Sequence, residues 1–292
     1  MTAAPLPTTM AHLDAGAVEY RLVRGREPAV IVFHGGHMRA GLALGEDVFV
    51  SAGHTVLIPS RPGYGRTPIG TGTSPAGFTT VVEELCRHLE IAQAAAVVGI
   101  SGGGPSAMTM AARHPRLVRR LILQSAVGFL PWPDRVTRLG ANVVFAPAVE
   151  RVTWTGVRAL MRLAPAIGLR SLLRSLSTEP VGEVMAALGD EHRATLIALF
   201  SQMRSGRGFI NDLRSTPDVT SQITQPTLVI ASPRDGAVPF THAEAIAARV
   251  NGAELVPSQA DSHFIWLGAD YPAIADTIRT FLTNPRADRR PR

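Results

Sequence analysis

Ser101 stands between glycines in Gly99-Ile100-Ser101-Gly102-Gly103. The apolar run Ala94-Ala95-Ala96-Val97-Val98 leads into it, and a second apolar segment follows as far as His114-Pro115. The pattern reads as a buried strand, a sharp turn and a helix. Side chains at positions 99 or 103 would collide with the crossing strand and helix, and so tight a turn needs a permissive backbone. Such a turn holds a hydroxyl at its apex, with the unpaired N–H groups of a helix N-terminus aimed at whatever the oxygen attacks. The chemistry on offer is nucleophilic. A serine hydroxyl is weak alone and needs a base within hydrogen-bond reach and a group to orient that base. By itself G-x-S-x-G is unspecific: at ordinary glycine usage of about 7% it arises by chance in roughly one chain in ten of this size. The flanking strand and helix give it its weight. Gly102 to Ala107 also fits a dinucleotide-binding G-x-G-x-x-A, but that loop wants an acidic residue about 20 positions on, at the end of the next strand. That strand ends Leu121-Ile122-Leu123-Gln124-Ser125, without a carboxylate.

The elements that must position Ser101 follow from apolar spacing. Met10 to Leu13 and Val18 to Val23, joined through Asp14-Ala15-Gly16, read as a hairpin at a sheet edge. Ala29 to Phe33 and Thr55 to Pro59 are short continuous apolar runs, as expected of strands buried on both faces. Leu42 to Ala52 and Phe78 to Ile91 have helical spacing, the second with Val81, Val82, Leu85 and Leu89 on one face. After the Ser101 turn come its helix and the strand Leu121 to Leu123. The alternation then stops. From Gly128 to about Thr220 the patterns are helical, rich in Leu, Val, Met and Arg and cut by prolines. It resumes with a strand at Thr227 to Ala231, a helix at His242 to Val250, a short strand at Glu254 to Val256 and a helix at Tyr271 to Leu282. Alternating strands and helices imply an α/β fold, a mostly parallel, doubly wound sheet. Here an all-helical segment is inserted between the sixth and seventh strands.

Composition narrows the function classes. The 292 residues are 46% hydrophobic and 18% charged, enough for one large domain or one domain with an insertion. All 29 basic residues are arginine, so neither a Walker A loop nor a lysine Schiff base is available. The net charge of +6 is spread along the chain without an aromatic-interleaved basic cluster, which argues against nucleic acid. No apolar run is long enough to span a bilayer, and the N-terminus lacks the basic start and apolar stretch of a signal peptide, so the expected location is cytoplasmic. The single cysteine, Cys86, reads as a core residue on a helix.

The Ser101 turn, with its strand and helix, resembles the nucleophile elbow of the α/β-hydrolases. The likeness extends over the whole chain except the insertion and the tail. It implies a core of residues 1–127 and 221–292 and a helical cap at 128–220 over the active site; the polar, basic stretch 284–292 reads from its composition as a disordered tail. In that family the acid precedes the histidine. Of His192, His242 and His263, only His263 lies where the family places its base, in the polar loop Gln259-Ala260-Asp261-Ser262-His263-Phe264; His242 reads as a capping or surface residue. Asp235, in Ser232-Pro233-Arg234-Asp235, resembles the family's acid loop, although Ser232 stands where glycine is usual. Asp261 is the rival acid, and the family's other acid position holds Gln124 and Ser125. The family's His-Gly-Xaa oxyanion loop matches His34-Gly35-Gly36, which makes Gly36 and Gly102 the backbone donors, with His37 as second choice and His34 as a buttress. Arg61-Pro62-Gly63-Tyr64-Gly65-Arg66-Thr67 resembles a structural turn of the family, with Ser60 and Thr67 departing from its pattern.

The resemblance therefore implies a serine hydrolase of a carboxylic ester, thioester or lactone, without cofactor or metal. Family members that dehalogenate alkyl halides or open epoxides carry aspartate at the elbow, where this chain has Ser101. Hydrolysis of a carbon–carbon bond, acyl transfer, or a ligand receptor using the same pocket are the alternatives. In the insertion, Arg151, Arg158 and Arg162 are spaced to share one helical face. The expectation is an apolar side packed down over the cleft and selecting small-molecule substrates with apolar acyl groups, with the arginines in water; the sharper alternatives are an anionic substrate or a membrane surface.

Overall fold

In the computed structural model the described residues are 5–146, 148–214 and 217–284, with the side chains of 135 and 136 left aside. The tail expected from residue 284 lies, past that residue, outside them. Among the described residues eight strands form one sheet in the order β1-β2-β4-β3-β5-β6-β7-β8. They are β1 (Thr9–Leu13), β2 (Gly16–Val23), β3 (Arg26–Phe33), β4 (His54–Pro59), β5 (Ala94–Ile100), β6 (Leu121–Gln124), β7 (Thr227–Ala231) and β8 (Glu254–Pro257). The hairpin β1–β2 lies at one edge and pairs antiparallel, β2 pairs antiparallel with β4, and every other neighbouring pair is parallel. The central strands β4, β5 and β6 are buried throughout, which is why they read as unbroken apolar runs.

Helices α1 (Asp47–Ser51), α2 (Pro75–His88), α3 (Gly104–Arg113), α10 (Thr241–Arg249) and α11 (Tyr271–Thr283) flank the sheet. Between β6 and β7 run α4 (Arg135–Val144), α5 (Glu150–Leu163), α6 (Pro165–Leu173), α7 (Val181–Ala187), α8 (Asp190–Gln202) and α9 (Gly208–Asp212). Two hydrophobic clusters cover the two sheet faces. One holds Phe78, Leu85 and Met110 from α2 and α3. The other joins α1 and α11 to Trp154, Met161, Leu196 and Phe200 of the insertion.

Two elements differ from the sequence reading. The helix expected at 42–52 is only α1, because Gly45 takes φ +77 and lies so close to Trp266 that a Cβ there would come within 2.3 Å of its Nε1. The chain therefore turns at Gly45 and can start a helix only beyond it. The helix expected at 78–91 begins earlier, at Pro75, because Ser74 caps it by accepting the Gly77 N–H at 3.1 Å. It ends before Glu90, which has φ +60.

Candidate active site

At the C-terminal end of β5 the backbone turns at Ser101 with φ +50, a left-handed conformation that a side chain rarely adopts. Its surroundings hold it there. A Cβ on Gly103 would lie 2.0 Å from the Phe33 carbonyl oxygen, and one on Gly99 would lie 2.7 Å from Ala107 Cβ. Gly35 packs directly on the serine: a Cβ there would be 2.8 Å from Ser101 Cβ. A Cβ on Gly102 would lie 3.4 Å from the Gly36 nitrogen, so the two candidate oxyanion donors belong to one small space beside the hydroxyl.

Asp235 and His263 come together from the loops after β7 and β8. His263 Nδ1 and Asp235 Oδ2 are 2.6 Å apart, and both residues are buried. The other carboxylate oxygen of Asp235 accepts the N–H groups of Ala237 and Val238 at 2.8 and 2.9 Å, which fixes its plane. Among the described residues no hydrogen bond joins Ser101 Oγ to His263. Asp261, the rival acid, faces away and pairs with Arg234 at 2.8 Å. His192 is on α8 in the insertion. His242 is neither a cap nor a surface group: it is buried, and its Nδ1 accepts the Gly128 N–H at 3.0 Å.

Several groups that position these residues carried no signal in the sequence. Ser125, at φ +47 after β6, donates its hydroxyl to the His263 carbonyl at 3.0 Å. The His263 N–H donates to the Leu176 carbonyl at 2.7 Å, and Ser177 bridges to Asp235, so the segment after α6 braces both the acid and the base loop. Gly236 is required at that crossing, since a Cβ would be 2.7 Å from Ser177 backbone atoms.

The turn after β4, expected as a structural one, also reaches across to the insertion. Arg61, 5% exposed, donates from Nε to the His34 carbonyl at 2.8 Å and makes a bidentate pair with Asp212 of α9 at 2.6 and 2.8 Å. Tyr64 donates its hydroxyl to the same carboxylate at 2.5 Å. Burial alone would lower the arginine's pKa, but Asp212 and then Tyr64 outweigh it and raise it further. Burial and the Asp212 charge push the Tyr64 phenol well above its ordinary range. The cluster borders the donor space, with Arg61 Nη2 3.4 Å and Asp212 Oδ2 3.5 Å from where a Gly102 Cβ would be. Arg61 and Asp212 also line a cavity of about 260 Å³ that includes Gly102, Phe78, Val127 and Trp132; neither Ser101 nor His263 lines it.

His37 follows Gly36 with φ +63, and the rings of Phe209, Phe145 and Trp154 lie 4.1, 4.7 and 5.2 Å from its own. Burial, then the nearby Arg61 charge, brings its pKa down to about 3, so it is neutral near pH 7. Its Nδ1 is 2.7 Å from the hydroxyl of fully buried Ser205, which also accepts Trp154 Nε1–H at 2.8 Å. His34, expected as a buttress, has Nε2 3.2 Å from Glu46, whose carboxylate also takes Arg21. Burial raises the Glu46 pKa, but the hydrogen bond and charge of His34, and then Arg21, bring it to about 2.

Cys86 is buried on α2, its thiol pushed up to about 12 by burial and then by Glu83 and Glu27. Among the described residues no three His, Cys, Asp or Glu side chains group as a metal site, and no helix is long and apolar enough to cross a membrane.

Residues 28–144 match the family described as alpha/beta hydrolase fold, and residues 210–291 match the TAP-like protein family. The uncharacterized hydrolase YcgS of Bacillus subtilis (strain 168) is 32% identical over 275 residues, spanning 92% of this chain and 96% of that protein. A pimeloyl-[acyl-carrier protein] methyl ester esterase of Aromatoleum aromaticum is 28% identical over 240 residues, 78% of this chain and 88% of that one. The solved alpha/beta hydrolase fold protein from Nakamurella multipartita superposes with a TM-score of 0.77 at 25% identity, over 94% of this chain and 99% of its own.

Proposed function

The chain belongs to the α/β-hydrolase family, and on that premise we propose that it is a serine hydrolase cleaving a carboxylic ester, thioester or lactone through an acyl-enzyme. One observation carries the reading: the buried Asp235–His263 hydrogen bond lies in the loops of the same sheet end at which Ser101 is held in its left-handed turn. In the first step Ser101 Oγ bonds to the substrate carbonyl carbon while His263 Nε2 takes the hydroxyl proton. The negative charge on the carbonyl oxygen is met by the N–H groups of Gly36 and Gly102, each worth roughly 10²–10³ in rate. The tetrahedral centre collapses, the bond to the leaving oxygen or sulfur breaks, and that atom takes the proton from His263. Water then attacks the acyl-serine, again giving its proton to His263, and Ser101 leaves with that proton restored. Asp235 holds the imidazole with Nδ1–H toward itself and balances its transient charge.

Residues 128–220 act in this reading as a cap on a core of 1–127 and 221–292. What supports it is that Phe209 packs on Gly36 and Asp212 on Gly102, so the insertion shapes the donor space. The cavity beside Gly102 has apolar walls at Phe78, Val127 and Trp132 next to the charged Arg61 and Asp212, and those walls support a small molecule with an apolar acyl group. The test is a series of chromogenic esters of graded acyl length. A burst of chromophore stoichiometric with enzyme is expected, with apolar chains preferred over carboxylate-bearing ones. Ser101→Ala should lose on the order of 10⁶ in kcat with the fold intact. Retention of more than about a thousandth of the activity would mean a different nucleophile.

A further inference from the structure

The insertion leaves a second apolar face turned outward. On α5, Val152, Gly156, Ala159 and Leu163 follow one another at intervals of four, three and four, which places them on one stripe of the helix. All four are exposed, Val152 to 70% and Leu163 to 82%. The stripe is about 16 Å long at the helical rise. It continues into Ile167 at the start of α6, exposed to 64%. At its other end Thr153 Oγ1 donates to the Val144 carbonyl at 2.9 Å, and this ties α5 to the end of α4, whose Leu139 and Val143 are also exposed. The opposite side of α5 is the buried one, carrying Trp154 and Met161.

Cations border the stripe. Arg151, Arg158 and Arg162 share the flank of α5 beside it, and Arg170 is exposed on α6. Residues 135–173 contain one acid, Glu150, and it is buried, accepting the N–H groups of Ser205 and Gly206. The positive charge of this surface is therefore left for an outside partner. An arginine stem can lie along apolar surface while its head reaches outward, which suits a helix lying in the plane between acyl chains and headgroups. A second copy of the chain would bring arginines against arginines across a two-fold face. A nucleic acid would leave the stripe without use, since its side chains are aliphatic and the aromatic Trp154 points inward.

We propose that the outer face of α5, with α4 and the start of α6, docks the protein peripherally on an anionic lipid surface, the Val152–Leu163 stripe entering the headgroup layer and the arginines pairing with lipid phosphates. The proposal does not depend on the hydrolytic chemistry. The test is co-sedimentation of the full chain with phosphatidylcholine vesicles, with and without phosphatidylglycerol. Binding is expected to the anionic vesicles, weakening as salt is raised. Leu163→Glu should lower partitioning tenfold or more, and Arg162→Gln by about fivefold, from roughly 1 kcal/mol per cation at such a surface. Both variants should keep the wild-type unfolding midpoint, because both side chains are exposed. Absence of vesicle binding, equal binding to neutral vesicles, or anionic binding that survives Leu163→Glu would each overturn the proposal. So would a lipid-free dimer that Leu163→Glu dissociates, since that would give the face to a second copy. Vesicle binding is read without turnover, so its failure would leave the proposed hydrolysis at Ser101 standing.

Discussion

Two aspartates at one end of the sheet are each held against a basic side chain, and the two pairs are built for different work. Asp235 faces His263 across 2.6 Å between loops of the core. Asp212 comes from the insertion and grips Arg61 of the core with two hydrogen bonds, and Tyr64 adds a third. Histidine gains and loses a proton near neutral pH, whereas arginine does not. The first pair can therefore pass a proton during a reaction, and the second can only fix geometry. In the proposed reaction the core supplies the groups that change state, and the seam with the insertion supplies the ones that stay put, next to the space between Gly36 and Gly102.

Substitutions at the first pair should strike rate and leave stability nearly alone. His263→Ala is expected to cost on the order of 10⁶ in kcat, and Asp235→Asn roughly 10⁴, because the acid acts through the base. Asp261→Asn should do little, since Asp261 pairs with Arg234 at the surface. A larger loss from Asp261→Asn than from Asp235→Asn in steady-state kinetics would reverse the assignment. At the second pair the balance should invert. Asp212→Ala leaves Arg61 buried without its counter-charge, and about 3 kcal/mol of unfolding free energy should be lost in urea titrations. Arg61→Met combined with Asp212→Leu should recover part of it. If the single variant is as stable as wild type, the seam is not held by this pair.

His37 sharpens the same contrast on the pH axis. Its pKa is about 3 folded against an ordinary 6.5, so between these values the unfolded chain binds a proton that the folded one refuses. The stabilisation is complete above pH 6.5 and is lost as pH falls toward 3, at up to about 1.4 kcal/mol per unit. His37→Asn should flatten the slope between pH 6.5 and 4.5, above the range in which Glu46 titrates. An unchanged slope would place His37 in water. The smallest effect belongs to the outer face: Arg158→Gln or Arg162→Gln should alter kcat/KM for soluble neutral esters by less than about tenfold. Faster turnover of anionic esters, abolished by these replacements, would make the arginines the specificity determinants.

The sheet and its loops were readable because burial on both faces leaves uninterrupted apolar runs such as Val30 to Phe33, and because Gly99 and Gly103, on either side of Ser101, are forced by contacts under 3 Å. The α10 helix came within a residue of its place. What escaped were contacts made across long stretches of chain. Arg61 and Asp212 are 151 positions apart, and nothing local to either marks a pair. His242 looked like a cap because it opens a helix after Pro239; its partner, Gly128, is 114 positions away. The arginine face of α5 was legible from its spacing, whereas the apolar stripe beside it was not. Val152 and Leu163 look like core residues until the fold shows that Trp154 and Met161 already fill the inner side.

The proposed hydrolysis stands or falls with Ser101 as a nucleophile activated by His263. Covalent labelling with a fluorophosphonate, followed by peptide mass mapping, tests it most directly. One adduct per chain is expected, on Ser101, abolished in Ser101→Ala and slowed by orders of magnitude in His263→Ala. An adduct on another residue, or an unlabelled wild-type protein that is fully folded, would contradict it.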